Sequence, residues 1–188
     1  RCLVAIYNTP SDAANTAVRA FLTKVGEYYL GSSFNTGSGK GKATWLRIRD
    51  ELFGGRCAYC DVADGPLQIE HLYMFNRTEY GLHHPGNVVP CCKSCNKRER
   101  LEDGTYMDWK EHLVFICERD STQNQIAPRR TKIEACMIEH GYPTLDEKEQ
   151  HAIRVIANSL YENIKSESSK SLEMYKQLDE VFVRDGGT

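Results

Sequence analysis

Three short motifs decide the fold that we expect for this chain. They are Cys57-Ala58-Tyr59-Cys60, Ile69-Glu70-His71 and Asn87-Val88-Val89-Pro90-Cys91-Cys92-Lys93-Ser94-Cys95-Asn96. Two Cys-x-x-Cys pairs enclose a Glu-His dipeptide, and an asparagine directly follows the second pair. Thiolates suit zinc, whereas carboxylate and amide oxygens suit magnesium or manganese. The stretch therefore contains ligands for two kinds of metal site.

The paired cysteines predict a structural zinc site. A Cys-x-x-Cys turn places two thiolates on one ion, and two such pairs complete the tetrahedron that zinc prefers. We expect the ligands to be Cys57, Cys60, Cys92 and Cys95, because Cys91 lacks the spacing to Cys95. The alternative is a set of unliganded thiols in a core. The long interval between the pairs indicates a folded segment whose base is fastened by zinc.

The bulk composition predicts a soluble globular chain of 188 residues, 40% of them hydrophobic and 27% charged. No apolar run is long enough to cross a bilayer, so we expect no membrane partner. With eight cysteines, metal-ligand spacing and no visible export signal, a reducing cytoplasm with bound zinc is favoured over secreted disulfides. The net charge of −2 argues against tight, indiscriminate nucleic-acid binding, although residues 1–60 and 91–100 are locally basic.

Apolar residues at helical spacing predict helices on both sides of the motifs. Thr9 followed by Pro10 is typical of a helix start, which predicts a helix over 10–30. The other predicted helices lie over 43–53, over 108–118, from 128 to 141, and from a capping box that begins at Thr144 to about 164. The serine-rich stretch over 166–171 either frays or continues the last helix to 183.

Residues 31–41 are rich in glycine and serine and predict a flexible basic loop. Lys40 and Lys42 lie in a Gly-Lys-Gly-Lys sequence that lacks the spacing of a nucleotide-binding phosphate loop. We expect these two lysines to contact a nucleic-acid backbone instead.

Between the outer helices, short strands are predicted over 67–73 and 88–89, followed by a helix over 92–101. The fold class is therefore α+β. We expect an N-terminal helical segment over 1–55, a central core over 56–101, and a C-terminal helical segment over 102–188 that forms one compact unit with the core.

The central motifs resemble those of the HNH endonucleases, in the arrangement C-x-x-C…[DE]-H…N-x-x-x-x-C-x-x-C-[HN]. The resemblance covers residues 56–101 and makes this chain an HNN variant with a zinc clamp, through His71, Asn87 and Asn96. It implies a ββα-metal core, with the histidine at the end of the first strand and the last asparagine on the following helix. The arrangement also resembles nuclease subunits of bacterial defence systems.

The chemistry of these residue types agrees with phosphodiester hydrolysis. His71 is suited to take a proton from water as general base near neutral pH. Glu70 and Asn96 offer oxygen ligands for one Mg²⁺ or Mn²⁺ ion, which would act as a Lewis acid on the phosphate. Strand neighbours point to opposite faces, so Glu70 and His71 share a site only where the strand twists or ends. We expect Asn87 to fix the loop by side-chain hydrogen bonds.

Further polar residues near the motifs have an ordinary interpretation and a functional one. His83 and His84 fall in the inter-strand loop, where we expect loop surface, with a second metal contact as the alternative. A cluster of basic residues is expected to contact phosphate, or else to form a solvated helix face. This basic cluster consists of Lys93, Lys97, Arg98 and Arg100.

Two positions depart from the family pattern. Met74 and Glu99 stand where the HNH endonucleases commonly have proline and lysine.

These observations predict a metal-dependent DNA endonuclease. One alternative is a nuclease that cuts RNA with the same core, and another is an inactive zinc-dependent module that only binds nucleic acid. Since the C-terminal half is acidic, we expect a protein partner, such as an ATPase or sensor subunit in anti-phage defence, to deliver the nuclease. A restriction enzyme that acts alone is the competing possibility.

Overall fold

Five α-helices and a two-stranded antiparallel sheet are present in the computed structural model, which describes residues 9–63 and 65–184. In chain order the elements are α1 (Pro10–Leu30), α2 (Gly39–Leu46), β1 (Gln68–His71), β2 (Val88–Cys91), α3 (Trp109–Arg119), α4 (Ile126–Glu139) and α5 (Glu147–Leu178). A π-helical stretch, Arg47–Leu52, continues α2, and a second one, Asp179–Arg184, continues α5. The predicted mixture of helices with a small sheet is confirmed.

The first helix has the boundaries that its sequence predicts. The Thr9 hydroxyl accepts from the Asp12 N–H, and the Asp12 carboxylate accepts from the Thr9 N–H, which forms a capping box. Such a cap contributes about 1 kcal/mol to helix stability. Gly31 ends the helix in the left-handed conformation, with φ of 71°.

The predicted flexible loop over 31–41 is partly wrong, because α2 already begins at Gly39. Lys40 and Lys42 therefore lie exposed in the first turn of a helix. The physical reason is close packing: Gly41 is buried, and a Cβ at this position would overlap the main chain of Asn35. Glycine serves here for backbone contact and not for mobility.

Both predicted strands are confirmed, with modest changes of length. β1 and β2 pair so that Glu70 faces Val89 and His71 faces Val88. The first Cys-x-x-Cys turn docks on this hairpin, because the Ala58 N–H donates to the Pro90 carbonyl at 2.8 Å. β1 ends at His71, which is where the sequence required the strand to end.

The predicted helix over 92–101 is wrong. After the cysteine turn the chain runs extended and folds back at Gly104, so that Arg100 forms a bridge with Tyr106. The Leu101 N–H donates to the Thr105 carbonyl at 2.8 Å, which closes this small hairpin. The ββα arrangement therefore lacks a helix directly after β2, and the next helix is α3.

The C-terminal helices are confirmed, but the capping box near Thr144 is shifted. The N-cap of α5 is Asp146, which exchanges hydrogen bonds with Glu149. The serine-rich stretch over 166–171 continues the helix. No helix in the described ranges has the length and apolar character needed to cross a membrane.

Two hydrophobic clusters lie on either side of the inter-strand loop. The first surrounds the hairpin and the cysteines and includes Leu72 at the start of the loop, together with residues of α3 and α4. The second lies between α1 and α5 and includes Leu82 near the end of the loop. The loop over 72–87 is therefore anchored in both clusters, which limits its freedom to move. The α1 and α5 side chains at the centre of the second cluster are Ala14, Val18, Leu22, Ile153, Ala157 and Tyr161.

Candidate metal centre and catalytic residues

The two cysteine pairs meet in one cluster. The Sγ atoms of Cys57, Cys60, Cys92 and Cys95 all lie within 4.8 Å of one another, and those of Cys60 and Cys92 are 3.6 Å apart. Tetrahedral zinc with four thiolates requires sulfur–sulfur separations of about 3.8 Å. The cluster is therefore positioned to hold a metal ion and is consistent with a structural zinc site. Cys91 lies outside it, as its spacing predicts.

The electrostatics of the cluster favour a bound cation. A hydrogen bond with the Cys57 thiolate raises the pKa of Cys60 to about 12 and also raises the pKa of Cys95. Four thiolates so close together repel one another unless a cation compensates them. Arg119 contributes positive charge at the edge, with its Nη2 3.7 Å from the Cys95 sulfur.

His71 lies at the end of β1, with its ring stacked on Phe75 at a centroid distance of 4.8 Å. Its Nε2 is 2.9 Å from Nδ1 of His83. Burial, followed by the charges of His83, Arg19 and Arg98, lowers the pKa of His71 to about 3. The imidazole is therefore neutral but weakly basic at physiological pH, and an anionic phosphate beside it would raise its pKa towards the range in which a general base works.

The inter-strand histidines are not loop surface, and that expectation is wrong. His84 is 1% exposed, and its Nδ1 accepts from the Gly86 N–H at 3.0 Å. Burial is the main reason that the pKa of His84 falls to about 4. His83 is partly buried and faces His71. Both side chains turn inward because the loop packs between the two hydrophobic clusters.

Asn87 is fully buried and holds the two ends of the inter-strand loop together. Its Oδ1 accepts from the Tyr73 N–H at 2.8 Å, and its Nδ2 donates to the carbonyls of Tyr73 and Leu82 at 2.9 and 2.8 Å. These hydrogen bonds fix the loop, which is the role that the asparagine side chain suggests. They also position the main chain directly after His71.

Glu70 points to the opposite face of β1 and forms a buried ion pair with Arg98. Their closest atoms, Oε1 and Nη2, are 2.8 Å apart, and the side chains are 7% and 2% exposed. The contact lacks the alignment of a hydrogen bond, since Oε1 has no hydrogen-bond donor within the described residues. Burial raises the pKa of Glu70, while the Arg98 charge opposes that shift.

Arg98 is thus an internal residue, and the expectation that it lies on a solvated face or contacts phosphate is wrong. Its guanidinium donates to the carbonyls of His71 and Leu72 at 2.8 and 2.7 Å, and to the Tyr59 hydroxyl at 3.2 Å. The residue is drawn inward because the chain runs extended after the cysteine turn. Arg98 therefore supports the strand end that presents His71.

Asn96 lies in the turn after the second cysteine pair, and its Nδ2 donates to Gln68 Oε1 at 2.7 Å. A divalent ion at Glu70 would compete with the Arg98 guanidinium for the same carboxylate. The catalytic ion at Glu70 and Asn96 therefore stays a prediction. Apart from the cysteine cluster, the described residues contain no group of three or more His, Cys, Asp or Glu ligands within reach of one ion.

The remaining predicted phosphate contacts, Lys93, Lys97 and Arg100, are exposed. Sequence reasoning missed Arg19, which is also exposed and whose charge acts on His71. Only the packing of α1 against the inter-strand loop brings Arg19 to this place. No motif could have identified it.

Comparison with known proteins identifies no relative. No protein-family model matches the chain, and neither a curated protein nor a solved structure does so. The function must therefore be argued from the chemistry of these residues.

Proposed function

We propose that the chain is a metal-dependent endonuclease that hydrolyses phosphodiester bonds in DNA, with His71 as the general base. The observation that best supports the proposal is a neutral histidine at a strand end, directly before a loop that Asn87 clamps. Hydrolysis needs an activated water and rigid positioning; in this proposal His71 would activate the water and the Asn87 hydrogen bonds would supply the positioning. The resemblance of the motifs to HNH endonucleases points to the same chemistry.

In the proposed reaction, His71 takes a proton from a water molecule as that water attacks the phosphorus. The ring is unprotonated before the reaction because burial and neighbouring charges lower its pKa, and the negative charge of a bound phosphate would raise that pKa and make the ring a stronger base. A divalent ion held by Glu70 and Asn96 would supply Lewis-acid stabilisation of the phosphate and the leaving oxygen. This ligand set requires the Glu70 carboxylate to exchange its contact with Arg98 for the ion and to turn towards the face of β1 that carries His71.

The cysteine cluster has a structural role in this proposal. Its two turns flank the hairpin in sequence, since one precedes β1 and the other follows β2, and they meet beside the end where Gln68 pairs with Cys91. A zinc ion shared between them would hold the strands in register and keep His71 in place. Metal affinity would then form part of the folding free energy.

Phosphate binding is assigned to exposed cations on several elements. Arg19, whose charge acts on His71, would contact the phosphate, and the exposed Lys93, Lys97 and Arg100 would contact neighbouring phosphates. Lys40 and Lys42 would extend this contact from the start of α2. The acidic C-terminal half supports delivery by a protein partner, such as an ATPase or sensor subunit in anti-phage defence.

A second candidate function, an inactive module that binds nucleic acid, is favoured by one observation. Glu70 already has a counter-charge in Arg98, so its carboxylate is compensated with no ion bound. In that case the chain would retain zinc and bind nucleic acid but would not cut it.

The proposal is tested by incubating the zinc-loaded chain with supercoiled plasmid, and in parallel with structured RNA, in Mg²⁺ or Mn²⁺. We expect DNA to be cut, EDTA to stop the reaction, and His71→Ala to abolish it. His151→Ala, an exposed histidine on α5, is the matched control and should cut normally. DNA binding without cleavage in any divalent ion would support the inactive module, and preferential cutting of RNA would change the substrate.

A further inference from the structure

We infer that His83 is a positioning residue that holds His71 in the tautomer with a bare Nδ1. In this arrangement Nε2–H of His71 donates to Nδ1 of His83, and Nδ1 of His71 is left to accept the proton from water. The inference rests on the proposed role of His71 as general base. It concerns a residue outside the cysteine pairs and outside the Glu-His dipeptide.

The first step is the distance between the rings. Nε2 of His71 and Nδ1 of His83 are 2.9 Å apart, which is the length of a normal N–H···N hydrogen bond. A neutral imidazole has one nitrogen that donates and one that accepts, so the pair bonds only if the two rings have complementary tautomers. Two arrangements are possible, with the proton on either side of the contact.

The second step identifies the donor. Because His83 occupies Nε2 of His71, Nδ1 is the nitrogen of His71 that is left for a water molecule, and it accepts a proton only if the ring hydrogen of neutral His71 is on Nε2. The neutral His83 ring then has a bare Nδ1, and the proton between the two rings belongs to His71.

The third step concerns what holds His83 in place. Its ring lies against the Phe34 ring at a centroid distance of 4.9 Å. The Phe34 segment is held by Glu27, whose Oε1 accepts from the Phe34 N–H and from the Ser33 hydroxyl at 3.3 and 2.8 Å. Gly26 packs directly on the His83 main chain. The acceptor for His71 is therefore supported by α1 and the segment after it.

The His71 ring itself is confined on two sides. Phe75 stacks on one face, with an interplanar angle of 19°, and His83 occupies the Nε2 edge. Rotation of the ring by half a turn would place carbon atoms against the His83 acceptor and would lose the bond. The tautomer and the orientation are consequently set by the same contact.

For the reaction, the consequence is a defined path for one proton. The O–H bond of the attacking water breaks, its proton binds Nδ1 of His71, and the oxygen electron pair forms the new bond to phosphorus. The bond from phosphorus to the leaving oxygen breaks, and that oxygen takes a proton from solvent. The imidazolium that forms keeps its Nε2–H bond to His83, which stabilises the charged ring.

The tautomer is measured directly in the zinc-loaded full chain by long-range ¹H–¹⁵N correlation spectra at neutral pH, with the His71 signals identified by their loss in His71→Gln. We expect a bare Nδ1 and a protonated Nε2. In His83→Leu, which has no acceptor, both tautomers of His71 should appear, whereas His151→Leu should change nothing. A protonated Nδ1 in the wild-type chain, or an unchanged tautomer in His83→Leu, would overturn the inference.

Cleavage provides a second readout. His83→Leu should lower kcat about tenfold or more with KM changed by less than about twofold, because ground-state binding does not involve His83. His83→Asn, whose amide oxygen can lie where Nδ1 lies, should restore most of kcat. A loss confined to KM, or no restoration by asparagine in a folded protein, would contradict a positioning role. If the wild-type chain cuts nothing, the proposed function fails, while the spectra still decide the tautomer.

Discussion

The main chains of Gly26 and His83 touch where α1 crosses the inter-strand loop. A Cβ on Gly26 would overlap the carbonyl oxygen of His83. Because His83 in turn contacts His71 at 2.9 Å, the absence of a side chain on a distant helix sets the position of the candidate base. The packing of the outer helices is thus part of the site.

We therefore predict that Gly26→Ala destabilises the chain by about 1–3 kcal/mol, the usual cost of overpacking. Urea unfolding followed by circular dichroism measures the change. The sign of the change in unfolding free energy is informative. Alanine is a better helix former than glycine by about 1 kcal/mol and should stabilise α1 if nothing opposes it. A more stable variant would show that the two main chains do not press on each other.

The cysteine cluster predicts a specific metal dependence. The wild-type chain should contain one zinc ion, and Cys92→Ser should lose it together with the structure around the hairpin, because the site loses one of four ligands. Cys91→Ser is the matched control, since Cys91 is equally buried but outside the cluster. Metal analysis and circular dichroism report both quantities. If Cys92→Ser kept its zinc, the ligand set would be wrong.

The buried ion pair predicts a large effect of removing one partner. Arg98→Ala should destabilise the chain by about 3–5 kcal/mol, because it leaves the Glu70 carboxylate buried without a counter-charge. The double variant Glu70→Gln with Arg98→Ala should recover part of that loss. Chemical unfolding of the wild-type chain, the single variants Glu70→Gln and Arg98→Ala, and the double variant measures the coupling between the two residues. Additive effects would mean that the pair is not coupled in solution.

The buried histidine at position 84 predicts sensitivity to acid. Its folded-state pKa, lowered to about 4, lies below its ordinary value of 6.5, so the unfolded chain binds more protons between these two values. The stability that His84 contributes is complete above pH 6.5 and is lost as the pH falls towards 4, by at most about 3 kcal/mol.

The free energy of unfolding should therefore fall between pH 7 and pH 5, and His84→Asn should make that slope less steep by the share of His84, while His71, whose pKa is lowered to about 3, maintains the rest. His151→Asn, on the exposed face of α5, should leave the slope as it is. Equal slopes in the wild-type chain and in His84→Asn would show that His84 keeps its ordinary pKa.

Arg19 predicts a loss of cleavage without a loss of fold. If Arg19 contacts the phosphate beside His71, Arg19→Ala should lower kcat/KM about tenfold, with no change in unfolding. Lys24→Ala on the same helix removes an equally exposed cation, whose ammonium is paired with Glu27 at 2.6 Å. A similar loss in both variants would indicate a general charge effect and not a contact at the site.

Local spacing predicted much of the core, because the relevant contacts are short in sequence. The pairs at 57–60 and 92–95 and the Thr9 cap each place their atoms within one turn, so the residue types alone indicate the structure. The predicted helix over 92–101 is wrong, because a turn at Gly104 pairs Arg100 with Tyr106. A hairpin of this kind competes with local helical propensity and wins through tertiary packing.

The candidate site was harder to predict, since its contacts join distant segments. Arginine usually lies at the protein surface, and only the folded structure shows that Arg98 is buried against Glu70. The residues adjacent to His83 in sequence do not indicate a function for it. Its role follows only from the contact between its Nδ1 and Nε2 of His71. Sequence spacing does not predict such tertiary contacts, which depend on how α1 and the inter-strand loop pack.

The division of the hydrophobic residues into two clusters has a consequence for how the chain comes apart. Loss of a zinc ion from the cysteine cluster would act on the residues around the hairpin, whereas the α1–α5 pair is stabilised by its own apolar side chains. Unfolding would then occur in two stages, and a chelated chain would retain part of its helical signal. In a cell, an intermediate of that kind would display an opened hairpin to proteases. Metal supply would thereby control how long the chain survives.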